Sequence, residues 1–335
     1  MSENKRIAYF DCFSGISGDM CLGAIVDAGV KLTEIKKGLK KLPVKDYSIT
    51  SKKVLRNGIS ATKVDVIVKS KVKSHRSEAR KWRDIEKIIK SSHLSERVKQ
   101  KGLHIFKRLF EAEALVHGES FDKVHLHELG GIDCIVDIFG TLIGLDILGI
   151  ESIYCSPINL GNGRVKTEHG LLPVPAPATA ELLKGYKVYS SDIYFELTTP
   201  TGATILSGLD ARCSVLPQIV TEKIGYGAGN KDIEGMPNAL RLIIGQEIDK
   251  EFLDSVVVIE TNIDDMNPQI YEDVIEKLFS AGALDVFMEN IIMKKGRPSI
   301  KLSVIAYKSK IDLLAHIIFR ETTSIGLRFY DVNRK

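Results

Sequence analysis

The stretch Ile7-Ala8-Tyr9-Phe10-Asp11-Cys12-Phe13-Ser14-Gly15-Ile16-Ser17-Gly18-Asp19, continued by Met20 to Ala28, decides the fold class. Its apolar opening reads as a strand, and the acid, small hydroxyls and glycines that follow read as a turn. Met20 to Ala28 then reads as a helix closed by Gly29. Strand, glycine-rich turn and helix in succession predict an α/β fold. Backbone N–H groups at such a turn are free to cradle an anion, with Ser14, Gly15, Ser17 and Gly18 as the binding residues. No Lys follows the second glycine, so this is not a Walker A loop. Asp11 and Asp19 would repel a bare phosphate, which a bridging Mg²⁺ or Mn²⁺ would reconcile. The other reading is a tight turn whose acids cap backbone amides.

Outward from this turn, Lys31 to Leu42 reads as a second helix, and Tyr47 to Lys71 as paired strands turning at Asn57-Gly58. Helical periodicity follows at Trp82 to Lys90 and Leu94 to Val116, with Ser92 and Ser95 as caps. A loop at His125 to Gly131 leads into a buried helix over Cys134 to Leu148, and Ser156 to Pro177 is too rich in Gly and Pro for a regular element. A short helix is expected near Ala178 to Leu183. Glu196 to Ala203 is another strand-to-helix turn, and Thr204 to Leu209 is helical. Tyr226 to Asn230 reads as a surface loop. From Phe252 onward strands and helices alternate as β-α-β-β-α-β, the ferredoxin-like order. The division expected is an α/β region over 1–250, with a sub-domain near 40–120, and a ferredoxin-like domain over 251–335.

The chain has 335 residues, 44% hydrophobic and 27% charged, enough to bury more than one core and unlike a disordered chain. No apolar run reaches the roughly 18 residues of a membrane span, and Met1 to Arg6 lacks the uncharged core of a signal peptide. A cytoplasmic protein is expected. The five cysteines are scattered without a CxxC pair, so reduced thiols are expected, most of them small buried hydrophobes. Residues 31–110 hold 24 Lys and Arg against seven Asp and Glu, although the whole chain is only +4. Such segregation suits attraction of an anionic ligand. Tyr47, Trp82, Phe106 and Phe110 do not interleave with the bases as a nucleic-acid stacking surface would require.

His125-Leu126-His127-Glu128, followed by Asp133 and Asp137, is the richest set of ligand-type residues. In an extended run His125 and His127 share a face, and Asp133 and Asp137 share a helical face. Imidazoles with carboxylates suit Ni²⁺, Zn²⁺ or Mn²⁺. Hydrogen-bonded structural histidines and acid–base roles remain open beside ligation, and the spacing is not HExxH. His169 is a further loop candidate. The threonines of Thr198-Thr199-Pro200-Thr201 either cap a helix or contact an anion. In the second domain Glu260, Asp264 and Asp265 surround one strand end, and adjacent carboxylates call for water or a cation. Lys294, Lys295 and Arg297 form a phosphate-compatible turn. The fold by itself need not bring that turn to the end of the sheet where the acids lie.

Six phrases in order, YFDCFSGISGDM, HLHELGGIDCIVDIFG, HGLLPVPAPAT, ELTTPTGA, ETNIDDMNPQ and MKKGRP, resemble the LarC family of nickel insertion proteins across nearly the whole chain. The resemblance implies CTP-dependent insertion of nickel, the substrate metal, into pyridinium-3,5-bisthiocarboxylic acid mononucleotide, assisted by Mn²⁺ or Mg²⁺. The product is the nickel-pincer cofactor, destined for a lactate racemase-type apoenzyme. It further implies CTP on the second domain, with Asp264 and Asp265 acting on the accompanying cation and Lys294, Lys295 and Arg297 on phosphate. Nickel then falls to His125, His127, Asp133 and Asp137. Forming a metal–carbon bond releases a ring proton, so a base is needed near the metal; His127, Glu128 and Asp11 are the catalytic candidates. A homo-oligomer is expected, with no nucleic acid or membrane partner. Members of the family continue beyond the point matching Lys335, so the second domain is expected to be shortened there. Two other classes compete: a nickel chaperone or storage protein that converts nothing, and a nucleic-acid-binding regulator built on the basic segment.

Overall fold

The computed structural model describes residues 5–69, 80–126, 131–167, 170–248 and 255–333. It divides into two compact units, 1–248 and 249–335. In the first, the chain runs β1 (Arg6–Asp11), α1 (Gly18–Asp27), α2 (Leu32–Leu39), β2 (Tyr47–Arg56) and β3 (Ile59–Val68). It continues through α3 (Trp82–Lys90), α4 (Glu96–His117), α5 (Ile132–Ile147), β4 (Ser152–Cys155), β5 (Ile158–Asn159), β6 (Arg164–Thr167) and β7 (Gly170–Pro173). The remainder is α6 (Pro177–Leu182), β8 (Val188–Tyr189), α7 (Pro200–Gly208), β9 (Arg212–Cys213), β10 (Ile219–Ala228) and β11 (Ala239–Glu247).

Among the described residues a seven-stranded sheet has the order β2-β3-β10-β11-β1-β4-β9. β1 pairs parallel with β4 and antiparallel with β11, so it is a central strand, as its continuous apolar run requires. The β2–β3 hairpin turns at Asn57 and Gly58, both at positive φ, which gives the turn the twist that a two-residue hairpin needs. Ser95 caps α4 through the Val98 N–H, as its position predicts. The core is rich in phenylalanine. Phe10, Phe106, Phe110 and Phe139 are fully buried, each such side chain contributing about 1.5–3 kcal/mol. Phe106 stacks on Phe139 with ring centroids 6.2 Å apart.

Two expectations for this unit need correction. Tyr226 to Asn230 is no surface loop through most of its length. Tyr226 to Ala228 completes β10, and a Cβ on Gly227 would lie 1.8 Å from the Met20 carbonyl oxygen of α1. The glycines are there because the helix lies against the strand, which a composition-based reading takes for loop chemistry. Ser156 to Pro177 likewise holds regular structure, namely β5 and the β6–β7 hairpin.

The second unit runs β12 (Ser255–Ile263), α8 (Tyr271–Ser280), β13 (Asp285–Met293), β14 (Arg297–Tyr307), α9 (Ile311–Glu321) and β15 (Arg328–Asn333). Its antiparallel sheet has the order β13-β14-β12-β15. Val257, Ile259, Leu302 and Val304 of the sheet pack with Val274 and Leu278 of α8 and Leu314 and Ile318 of α9. Both helices therefore cover one face. Among the described residues, no helix is long and apolar enough to cross a membrane.

Candidate functional site

The turn between β1 and α1 is stitched to the turn before α7. Gly15 sits at φ +76°, and a Cβ there would lie 2.2 Å from the Leu197 carbonyl oxygen. The Ile16 N–H donates to that carbonyl at 3.1 Å, and the Thr199 N–H donates back to the Ile16 carbonyl at 3.0 Å. A Cβ on Gly202 would sit 2.2 Å from the same Ile16 oxygen. Thr199 is the N-cap of α7, accepting from the Gly202 N–H at 3.2 Å. The helix-cap reading of that threonine therefore holds. The amino ends of α1 and α7 lie side by side.

A third helix start joins them. A Cβ on Gly18 would be 2.5 Å from Oδ2 of Asp137, and Thr201 of α7 donates from Oγ1 to the Cys134 thiol at 3.7 Å. The first turns of α1, α5 and α7 thus converge, each carrying the partial positive charge of its unpaired N–H groups.

The charged groups here are interlocked. Asp19 accepts from Ser17 Oγ and the Met20 N–H through Oδ1, and from Lys63 Nζ at 2.6 Å through Oδ2. Lys63, only 4% exposed on β3, lies 3.2 Å from Asp65 and donates to the Val64 carbonyl. Burial pushes Asp137 well above the usual carboxylate range; Asp19 and Asp133 add to the rise and Lys63 opposes it. Among the described residues its Oδ1 is buried without a hydrogen-bond partner. Burial also raises the Cys21 and Cys134 thiols, which are inert small hydrophobes in this setting.

The candidate anion-binding residues thus adjoin one candidate metal ligand, Asp137, through Gly18. Asp133 shares α5 with Asp137 and is exposed. His125 is exposed before that helix, in the segment whose Leu126 bridges to Arg80. His127, Glu128 and His169 lie outside the described residues. Among the described residues no three of His, Cys, Asp and Glu gather into a metal-holding group. Ser14 is turned inward, its Oγ donating to the Pro237 carbonyl at 2.5 Å. Cys12 is fully buried. Asp11 accepts through Oδ2 from Arg241 Nε at 3.0 Å and Nη2 at 2.5 Å. Arg241 and Lys63 escaped the sequence reading. Lys63 was hidden because it alternates with Val64, Val66 and Val68 on the hairpin arm and so reads as a residue of the polar face.

In the second unit the acids and the basic turn do meet. Asn262 and Ile263 at the end of β12 pair with Lys301 and Ile300 near the start of β14, which places the β13–β14 turn beside them. Arg297 Nη1 donates to Asp264 Oδ2 at 3.1 Å, and Thr323 Oγ1 donates to Asp265 Oδ1 at 2.5 Å. Lys294 and Lys295 are exposed in that turn, Lys295 at φ +64°. Glu260 is engaged differently. It receives Arg328 Nε at 2.9 Å, Lys301 Nζ at 3.3 Å and the Tyr330 hydroxyl at 3.3 Å. Although burial alone would raise it, these partners hold its carboxyl below the ordinary value.

The family model for the nickel insertion protein matches residues 8–335. A putative nickel insertion protein of Dictyoglomus thermophilum is 48% identical over 330 residues, covering 98% of this chain and 84% of that protein. The pyridinium-3,5-bisthiocarboxylic acid mononucleotide nickel insertion protein of Desulfitobacterium hafniense is 46% identical over 336 residues, covering 98% of this chain and 82% of its own length. Among solved structures, LarC2, the C-terminal domain of a cyclometallase involved in the synthesis of the NPN cofactor of lactate racemase, is 43% identical. That match has a TM-score of 0.24 and spans 24% of this chain and 57% of that one. With the family model matching nearly every residue and relatives close to half identical across the chain, this protein belongs to the nickel insertion protein family.

Proposed function

We propose that this protein inserts nickel into pyridinium-3,5-bisthiocarboxylic acid mononucleotide, making the nickel-pincer cofactor of lactate racemase-type enzymes. The observation that carries the reading is the convergence of three helix starts, at Gly18 of α1, Cys134 of α5 and Thr201 of α7, beside Asp137. A mononucleotide brings a phosphate, which suits helix N-termini, and nickel brings a cation, which suits carboxylates. One place in the fold offers both. Nickel, as substrate, is assigned to His125, His127, Asp133 and Asp137. His127 and Glu128 are assigned to the departing ring proton. Asp11, ion-paired with Arg241 at the root of the glycine turn, completes the catalytic set.

For the second unit, the β-α-β-β-α-β succession and the strand order β13-β14-β12-β15 support a ferredoxin-like fold. We assign CTP to it, with Lys294, Lys295 and Arg297 on the phosphates and Asp264 and Asp265 on an accompanying Mn²⁺ or Mg²⁺. The chemistry of the residues fits, since carboxylates need a divalent ion to sit beside a triphosphate. The test is to mix the purified chain with the thiocarboxylated pyridinium mononucleotide, Ni²⁺, Mn²⁺ and CTP and to look for the nickel-bearing product by mass spectrometry. Tight nickel binding with no product, unaffected by CTP, would instead identify a chaperone.

A further inference from the structure

Three thiols lie at the carboxy-terminal ends of neighbouring parallel strands. Cys12 follows β1, Cys155 ends β4 and Cys213 ends β9. Cys155 and Cys213 are register partners. Neighbouring strands lie about 4.8 Å apart, inside the Cα separation of about 4.4–6.8 Å that a disulfide spans. Both side chains emerge on the same face, since Cys155 belongs to the main core and Cys213 packs against it. Cys12 is less well placed, because the β1 partner of Cys155 is Phe10, two residues earlier. β9 is the outer strand, so Cys213 is partly exposed while Cys155 is fully buried. Solvent reaches one thiol of the pair and not the other.

We propose that Cys155 and Cys213 are a reversible disulfide site oxidised by peroxide. The Cys213 thiolate attacks one oxygen of hydrogen peroxide, forming an S–O bond as the O–O bond breaks and hydroxide leaves to become water. The Cys155 sulfur, giving up its proton, then attacks the Cys213 sulfenic sulfur. An S–S bond forms, the S–O bond breaks and a second water departs. The two thiols lose two electrons and the peroxide gains them. Burial raises the Cys155 thiol above its ordinary range, which suits the later, resolving step. The bridge would sit at the root of the glycine turn. Ser156, next to Cys155, accepts the Cys12 N–H on Oγ at 2.8 Å, and the Cys12 carbonyl accepts the Gly15 N–H at 2.9 Å. The inference stands on this geometry whichever substrate the turn binds.

The experiment treats the full chain with stoichiometric hydrogen peroxide, alkylates the remaining thiols under denaturing conditions, and maps bridges by peptide mass spectrometry. One bridge, joining Cys155 to Cys213 and reversed by dithiothreitol, is expected. Cys12→Ser should leave it intact, and Cys213→Ser should remove it and leave Cys155 alkylatable. Cys213 lies at a partly exposed edge, so its variant tests the site even if Cys155→Ser does not fold. A bridge to Cys12, sulfinic acid at Cys213 without a bridge, or thiols that all stay reduced would each overturn the proposal.

Discussion

Asp11 and Arg241, 230 positions apart in sequence, are register partners across the antiparallel β1–β11 pair and share a two-donor ion pair on one carboxylate oxygen. The Asp11 side chain is 14% exposed and that of Arg241 41% exposed, so solvent screens the pair from one side. Removing the arginine strands a largely buried carboxylate at the root of the glycine turn. Arg241→Met should therefore lower stability by about 1–2 kcal/mol, below the full cost for a deeply buried pair. Adding Asp11→Asn should restore part of the loss in a double-mutant cycle read by urea unfolding. Additive losses would show that the pair is not coupled.

Gly15 ties the first turn to the second. Its positive φ and the backbone oxygen 2.2 Å from a Cβ leave no room for a side chain. Gly15→Ala should cost about 1–3 kcal/mol from backbone strain alone, and it should part the α1 and α7 helix starts. Affinity for the mononucleotide should fall by more than the stability loss explains. Equilibrium dialysis below the variant's melting temperature checks this, and unchanged affinity would remove the paired turns from the binding site.

The α/β opening and the order of elements in the second unit were legible because local chemistry reports them: an apolar run, glycines at a turn, alternating valines. What stayed hidden depends on distant strands. β10 and β11 escaped because Gly225 and Gly227 in β10 serve close approach by α1 yet look like loop residues. With β11 unseen, no reading of Asp11 could find Arg241. Lys63 was hidden for a related reason, since a lysine is expected in water until Asp19 and Asp65 are brought to it. The convergence of α1, α5 and α7 is a property of packing, and their starts are more than a hundred residues apart in two of three cases.

Asp137 sets a pH dependence. Its pKa is raised in the fold, so the folded chain binds a proton that the unfolded chain releases once pH exceeds the ordinary Asp value of about 3.9. Stability from this group is thus fully present below that value and is lost as pH rises toward the folded pKa. Asp137→Asn removes the effect while keeping the shape. The variant should match the parent in thermal unfolding near pH 3.5 and melt progressively higher than the parent toward pH 8. A constant difference across that range would show that Asp137 stays ionised in the fold.

The second unit allows a sharper test, because Arg297 and Asp264 touch. On the proposed assignment the carboxylates act through Mn²⁺ and the bases act on phosphate directly, so the two sets should fail differently. With metal absent, Asp264 both repels the triphosphate and occupies Arg297 through the 3.1 Å ion pair. Replacing Asp264 and Asp265 by Asn frees the guanidinium and removes the repulsion. CTP affinity in metal-free buffer should hold steady or rise, whereas in Mn²⁺ it should fall about tenfold, roughly the 1.4 kcal/mol that one well-placed contact contributes. Replacing Lys294 and Arg297 by Gln should weaken CTP at least tenfold in both buffers, since each change removes a charge-assisted phosphate contact. Both sites are solvent-exposed or partly so, and thermal unfolding of each variant establishes that the unit is intact. Calorimetric titration of CTP with and without Mn²⁺ separates the cases. An Asp-to-Asn double variant that binds CTP as the parent does in Mn²⁺ would sink the cation role, and a Lys-to-Gln, Arg-to-Gln variant with parental affinity would move the phosphates elsewhere.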